Sequence, residues 1–303
     1  VTGMAGVLCV GIAAYDMVFG IEAIPDRAGK VRATRFAEGG GGCAGNAAAA
    51  IARLGGRAVY AGRFGADAIA ERILEDLGRE GVEPRHVAKV AGGKSSISAI
   101  MVDAGGERLI VNFRDPDLPE CLDILPEALA PDLDAVLADT RWIGAAAPAL
   151  RLAAQAGRPG ILDAEPPLGA LDAALQAASH VVFSAIGLAD LTGTADPVAG
   201  LAIARSRLPG WLAVTDGAAG TFVAGADGPQ RVPSLPVDAV DTLGAGDVWH
   251  GAFALRLAEG AGEIEAVGFA NVAAALKCRV FGGKAGAPDR AAVEAALGEL
   301  PPA

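Results

Sequence analysis

Short apolar runs of β character alternate along this chain with longer runs of helical period, and that alternation limits the possible fold more than any other feature. Residues 7–12, 57–62, 135–138, 160–162, 181–184 and 211–215 read as buried strands. Between them, residues 46–54, 69–78, 148–155, 171–178 and 198–207 carry apolar side chains at helical spacing. Buried strands separated by helices imply βαβ units, a mainly parallel sheet and helices on both of its faces, an α/β fold. A chain of 303 residues is long enough to bury a large core in this way, as one large unit or two ordinary ones.

Two stretches break the rhythm. Residues 17–38 and 95–115 alternate as strands do, carry charges, and have no helix between their halves. Residues 96–102 and 108–113 flank Asp103-Ala-Gly-Gly-Glu107, a turn sequence suited to a β-hairpin. Strands with one polar face suit a small exposed sheet that covers something. The two segments, about 14–38 and 95–115, are therefore expected to form one lid within a single domain spanning 1–303.

Charge and composition remove several classes. A formal net charge of −11 argues against a nucleic-acid partner, which needs a concentrated basic surface. No apolar run is long enough to cross a bilayer, so no membrane partner is expected. The first eleven residues lack a basic leader and a cleavage pattern, and read as a first strand. The four cysteines and three histidines are scattered, without metal-ligand spacing or a disulfide framework, so a reducing cytoplasm is expected.

The most specific string is Asp241-Thr-Leu-Gly-Ala-Gly-Asp247, followed by a helical run over 248–259. Gly244 and Gly246 let the backbone turn sharply and approach a ligand with no Cβ in the way. The amides of Gly244, Ala245 and Gly246 then point outward at a helix start, an anion hole suited to a transferring phosphoryl group. Asp247, in the first turn, is expected to stay ionised and accept the proton of an attacking hydroxyl.

Other glycine-rich segments are weaker. Gly39-Gly-Gly-Gly42-Cys-Ala-Gly-Asn46 contains the spacing Gly40-x-Gly42-x-x-Gly45 of dinucleotide sites, but the run before it is charged, whereas that fingerprint follows a buried strand. It reads better as backbone closing on a polyhydroxy ligand, with Asn46 supplying an amide and a helix beginning at Ala47. Gly93-Lys94-Ser95 lacks the P-loop glycine, since position 88 is Ala88, and a hairpin follows rather than a helix. The strand end and turn at 214–220 suit a nucleotide near Gly217 and Gly220. Asn271 either reaches a nucleotide base or caps a packing contact, and the histidines are expected to be surface or core residues.

Taken in order, these segments resemble the ribokinase-like (PfkB) carbohydrate kinases over essentially the whole chain. The resemblance rests on Asp16, residues 39–46, residues 215–220 and above all Asp241–Asp247. It implies a three-layer α/β/α core with a β-sheet lid, Mg²⁺-ATP as donor, and in-line transfer to a sugar hydroxyl. By position it makes Asp247 the base and Gly244–Gly246 the anion hole, with Asp16, Gly41, Gly42 and Asn46 on the sugar. Ser184, Thr215, Gly217, Gly220 and Asn271 fall at the nucleotide, a monovalent cation is a candidate cofactor, and a homodimer through the lid is expected. The N-x-x-E motif of many members is absent, with Ser184 and Gly187 in its places, so the metal ligands are left unassigned.

A narrower resemblance is to the sulfofructose kinases of that family, through residues 94–103, 106–108, 116–118, 136–142 and 275–278 with Gly282-Gly283. It implies that Lys30, Asn112 and Arg141 hold the sulfonate of 6-deoxy-6-sulfofructose while O1 is phosphorylated. Two cations and an amide donor suit a tetrahedral monoanion. Fructose or another ketose, ribose and a sugar phosphate stay open as substrates. Two other classes stay open as well: a dinucleotide-dependent oxidoreductase and a non-catalytic sugar sensor.

Overall fold

The computed structural model describes residues 3–121, 123–225 and 228–300. The first half of the chain contains β1 (Gly6–Val10), β2 (Ala14–Gly20), β3 (Arg35–Gly41), α1 (Cys43–Arg53), β4 (Arg57–Gly65), α2 (Ala68–Arg79), β5 (Glu83–Val90), β6 (Ile97–Val102), β7 (Arg108–Phe113) and β8 (Ala135–Asp139). Next come α3 (Ile143–Gln155), β9 (Gly160–Ala164), α4 (Asp172–Ala177), β10 (His180–Ser184), α5 (Ala185–Thr192), α6 (Pro197–Arg205) and β11 (Trp211–Thr215). The chain continues through β12 (Thr221–Gly225), β13 (Gly228–Val232), α7 (Ala245–Ala258), α8 (Glu263–Lys277) and α9 (Arg290–Ala296).

The larger sheet has the order β13-β12-β11-β10-β9-β8-β1-β4-β5. It is parallel from β11 to β5, and only β12 and β13 run antiparallel, at one edge. Its central strands are apolar because both faces are covered, whereas the edge strands β5 and β13 carry exposed polar residues: Val7 and Cys9 of β1 point into a core with α1, α2, α7 and α8. Leu8 and Val10 point into a second core with α3, α4, α5 and α6. This is a ribokinase-like three-layer α/β/α arrangement. From β1 the sheet grows one way to β4 and the other way to β8. The carboxyl ends of strands at such a switch point splay apart and leave a crevice.

A second sheet, β3-β2-β6-β7, comes from the two stretches that broke the helical rhythm. Its strands keep period two. On β7, Arg108, Ile110 and Asn112 face the crevice, whereas Leu109, Val111 and Phe113 lie exposed between them. Val18, Ile100 and Val102 form a small third core with Leu243, which lies inside the Asp241–Asp247 segment. The small sheet is thus seated on that segment. No described helix is long and apolar enough to cross a membrane.

Some boundaries differ from those read in the sequence. Helix α1 begins at Cys43, four residues before the expected Ala47, because Gly42 makes the turn with φ of 82°. Gly39, Gly40 and Gly41 belong to strand β3. Helix α3 starts at Ile143 and carries Pro148 inside it. Helix α5 was not foreseen; Ser184 caps it by accepting from the Gly187 amide at 3.0 Å.

Candidate active site

The crevice at the switch point is a cleft of about 420 Å³ between the carboxyl ends of the large sheet and the polar face of the small one. Asp16, Gly42, Asn46, Asn112, Arg141, Gly244, Gly246 and Asp247 all line it. Residues as far apart in sequence as Asp16 and Asp247 therefore meet in one place, and the packing of two helices explains how. Helix α1 is a run of small residues, Ala47 to Ala50, and Gly251 of α7 lies so near Ala47 that a Cβ there would press on its carbonyl at 2.5 Å. That approach lets Asn46 Nδ2 donate to Asp247 Oδ2 at 2.7 Å.

Asp247 occupies the first turn of α7, and Gly244 enters the helix with φ of 76°. Burial pushes its carboxyl up to about 7; the buried Asp163 adds to this, and the hydrogen bond from Asn46 opposes it. The carboxylate expected to stay ionised thus lies half-buried on the cleft wall, where the protein packed around it raises it toward neutrality. A base whose pKa sits near neutrality can take a proton and release it again. Around Gly246 no atom would meet an added Cβ within 4 Å, which leaves open space beside the amides of the helix start.

Asp16 and Asn46, expected on the sugar side, line the same cleft as Asp247. Asp16 Oδ1 and Asn46 Oδ1 are buried without a hydrogen-bond partner, as hydroxyl-bearing ligands require of their acceptors. Burial raises the Asp16 carboxyl above its ordinary range, with Ser98 and the Lys284 ammonium opposing. Gly41 is required because a Cβ would overlap the Asp16 carboxylate. Arg141 follows β8 and is fixed by donation from Nη1 to the Pro166 carbonyl at 2.7 Å, with Glu165 at 3.8 Å. Asn112 Nδ2 donates to Ser98 Oγ at 3.1 Å and to the Ile97 carbonyl at 3.2 Å.

Lys30 is not brought to the cleft. It lies exposed in the connection between β2 and β3 and is absent from the lining residues. Arginines supply the positive charge instead: Arg108 and Arg114 stand with Arg141 around the same space. Arg114 and Arg141 also line an adjoining cavity of about 310 Å³. Arg114, Asp163 and Glu165 were not singled out in the sequence. The positions of Asp163 and Glu165 at the end of β9 were the available signal.

The nucleotide-side residues are more dispersed. Ser184 caps α5, and Thr215 ends β11 beside it, paired in register. Gly217 opens a short turn with φ of 50° and open space around it, whereas a Cβ on Gly220 would strike the Val232 carbonyl. Asn271 corrects the reading of a base contact. It is 3% exposed. Its Oδ1 accepts from Thr221 Oγ1 and Trp249 Nε1, each at 2.7 Å, and its Nδ2 donates to the Val232 and Pro233 carbonyls at 3.0 Å. All of its hydrogen-bonding capacity is spent inside the core.

His250 is buried on α7. Its Nδ1 donates to the Gly246 carbonyl at 2.8 Å and its Nε2 lies 3.4 Å from Asp163 Oδ1. Cys43, Asp163 and Asp247 present ligand atoms within 4.8 Å of one another. Burial raises the Cys43 thiol and the Asp163 carboxyl well above their usual ranges. The Cys43 sulfur is a poor donor for Mg²⁺, which selects oxygen ligands and water.

A carboxyl raised toward neutrality, an open helix start and a polar crevice thus lie together under the second sheet. The sequence pattern of the pfkB family carbohydrate kinases matches residues 4–290, and the chain belongs to that family. It is 29% identical to the ribokinase of Bacillus subtilis over 97% of this chain and 100% of that one. The structure of a candidate ribokinase from Agrobacterium tumefaciens superposes with a TM-score of 0.91 at 40% identity, covering 97% of this chain and 98% of the other. That of Arabidopsis thaliana ribokinase complexed with ribose and ATP gives 0.81 at 25% identity, over 97% and 99%. The chain is accordingly a carbohydrate kinase.

Proposed function

We propose that this kinase transfers the γ-phosphoryl group of Mg²⁺-ATP to a hydroxyl of an anionic ketose, with O1 of 6-deoxy-6-sulfofructose as the acceptor. The observation that carries the reading is the shared cleft of Asp247 and three arginines, Arg108, Arg114 and Arg141. Asp247 takes the hydroxyl proton as the γ-phosphoryl moves toward the amides of Gly244, Ala245 and Gly246, whose alignment opposes the charge on the transferring group. Asp16, Gly41, Gly42 and Asn46 hold the sugar hydroxyls. Arg141 and Asn112, aided by Arg114, hold its anionic end, the role first assigned to Lys30 as well.

Mg²⁺ enters as part of the nucleotide substrate. ATP is placed beside Ser184, Thr215, Gly217 and Gly220; the Arabidopsis relative, complexed with ATP, supports the donor. The small sheet, contributed by about 14–38 and 95–115, acts as a lid of one domain, and its closure keeps water from the γ-phosphoryl. Its outer side exposes Phe36, Val111 and Phe113, 56%, 60% and 43% accessible, which supports pairing of two lids in a homodimer. A monomer mass in light scattering at micromolar concentration removes that pairing.

The test is ATP consumption with sulfofructose, fructose, fructose 6-phosphate and ribose, using the wild type and Arg141→Ala. Arg141→Ala is expected to lower kcat/KM for the sulfonated ketose at least about tenfold more than for fructose, since it deletes a charge-assisted contact to the anion alone. Fructose as the better wild-type substrate would overturn the anionic reading and leave the plain ketose kinase.

A further inference from the structure

Lys277, the last residue of α8, is fully buried. A lysine ammonium is seldom found there unless it is paired, because removing a charge from water costs several kcal/mol. Its only purchase recorded among the described residues is Asp241, the first residue of the segment that ends at Asp247. Lys277 Nζ donates to the Asp241 carbonyl at 2.6 Å and lies 3.6 Å from its Oδ2.

The Asp241 carboxylate is itself a junction. Oδ1 accepts from the Leu243 amide at 2.8 Å, within its own segment. Oδ2 accepts from the amides of Gly282 and Gly283 at 2.8 and 3.0 Å, from the loop that follows α8. The backbone ties the same two loops together, with the Val240 and Asp241 amides donating to the Cys278 carbonyl at 2.8 and 3.1 Å. From Leu243 the chain runs straight into Gly244 and the start of α7. The ammonium thus sits against a carboxylate that ties the anion-hole segment to the loop after α8.

Resting on the kinase reading above, we propose that Lys277 is a positioning residue. Its ammonium serves as a built-in monovalent cation behind the anion hole, fixing Asp241–Gly246 in its receiving form so that transfer needs no added alkali cation. The site it fills is lined by a carbonyl and a carboxylate oxygen, the donor types that bind K⁺ or ammonium ions. Removing the charged tip while keeping the stem should leave a pocket that such ions can enter. Burial lowers the Lys277 pKa and the Asp241 carboxylate raises it again, in keeping with a charge retained only through that partner.

The experiment has two arms, both on the full chain with the sugar found active in the substrate panel. In buffer free of alkali cations, wild-type kcat is expected to be unchanged within about twofold on adding KCl. Activation beyond that overturns the inference, and this arm stands even if the variant does not fold. Lys277→Met is expected to lower kcat at least about tenfold with little change in sugar KM, and ammonium, methylammonium or K⁺ should restore a large part of the loss in the variant alone. A folded Lys277→Met with wild-type kcat, or with a loss that no cation repairs, overturns it too. A wild type that phosphorylates none of the sugars under any cation condition contradicts the kinase reading instead, so the two failures are distinguishable.

Discussion

The two glycine-rich segments contain the same residue for opposite reasons. In β3 and its turn, the positions of the missing Cβ atoms are already taken: at Gly41 by the Asp16 carboxylate, at Gly40 by the Asp76 carboxylate, and at Gly42 by the backbone of Ala13 at 2.8 Å. Beside Gly246 the position is empty, with no atom within 4 Å. The first segment uses glycine to let the protein close on itself and leave room for the Asp16 carboxylate. The second uses it to keep room at a helix start for something that is not protein.

The sharpest break of this comparison is at the end of the second segment. Asp247→Asn keeps the size of the side chain and removes the base, so kcat should fall about 10³-fold or more while thermal stability is held. Turnover near the wild-type value in a steady-state assay would remove Asp247 from the chemistry and leave Gly246 as an ordinary helix start.

Next in size come matched alanine substitutions. Gly246→Ala fills only open space, so it should lower kcat by about 10- to 100-fold with the unfolding midpoint almost unmoved. Gly41→Ala must displace the Asp16 carboxylate, so it should cost about 2 kcal/mol in denaturant unfolding. If the two variants exchange these signatures, the distinction between a filled and a vacant glycine position is wrong.

The smallest effect is in the pH profile. A base must be ionised to act, and burial holds Asp247 at about 7. The kcat/KM should therefore rise with pH through about 7, reach a plateau above it, and fall toward tenfold per unit below it. Asn46→Ala removes the hydrogen bond that favours the ionised form, so the midpoint should move upward, by roughly half a unit to one unit. A downward shift would mean that Asn46 does not act on this carboxylate.

Much of the larger sheet was legible because both of its faces are buried. Strands such as residues 181–184 then read as unbroken apolar runs, which single out the parallel core. The small sheet was legible for the contrary reason, since its one polar face gave residues 108–113 an alternating pattern. Helix α5 and the β12–β13 edge escaped, because α5 owes its start to a single capping contact by Ser184 and carries little periodicity of its own. Within the site, Asp247 and the glycines before it announced themselves by their spacing. Arg114, Asp163 and Glu165 did not, since a lone arginine or acid after a strand has no pattern until another strand end is set beside it.

By itself the sequence determined the α/β class, the kinase class through its family pattern, and the two segments that make the small sheet. These are local properties, written in spacing of two, of three to four, or in one contiguous string. Only the tertiary structure decided which charges face the cleft, replacing Lys30 with Arg108 and Arg114, and that Asn271 is spent on the core. It alone raised the Asp247 carboxyl toward neutrality and placed the Lys277 ammonium on Asp241. Burial and pairing are made by residues far apart in the chain, and no window of sequence contains both partners.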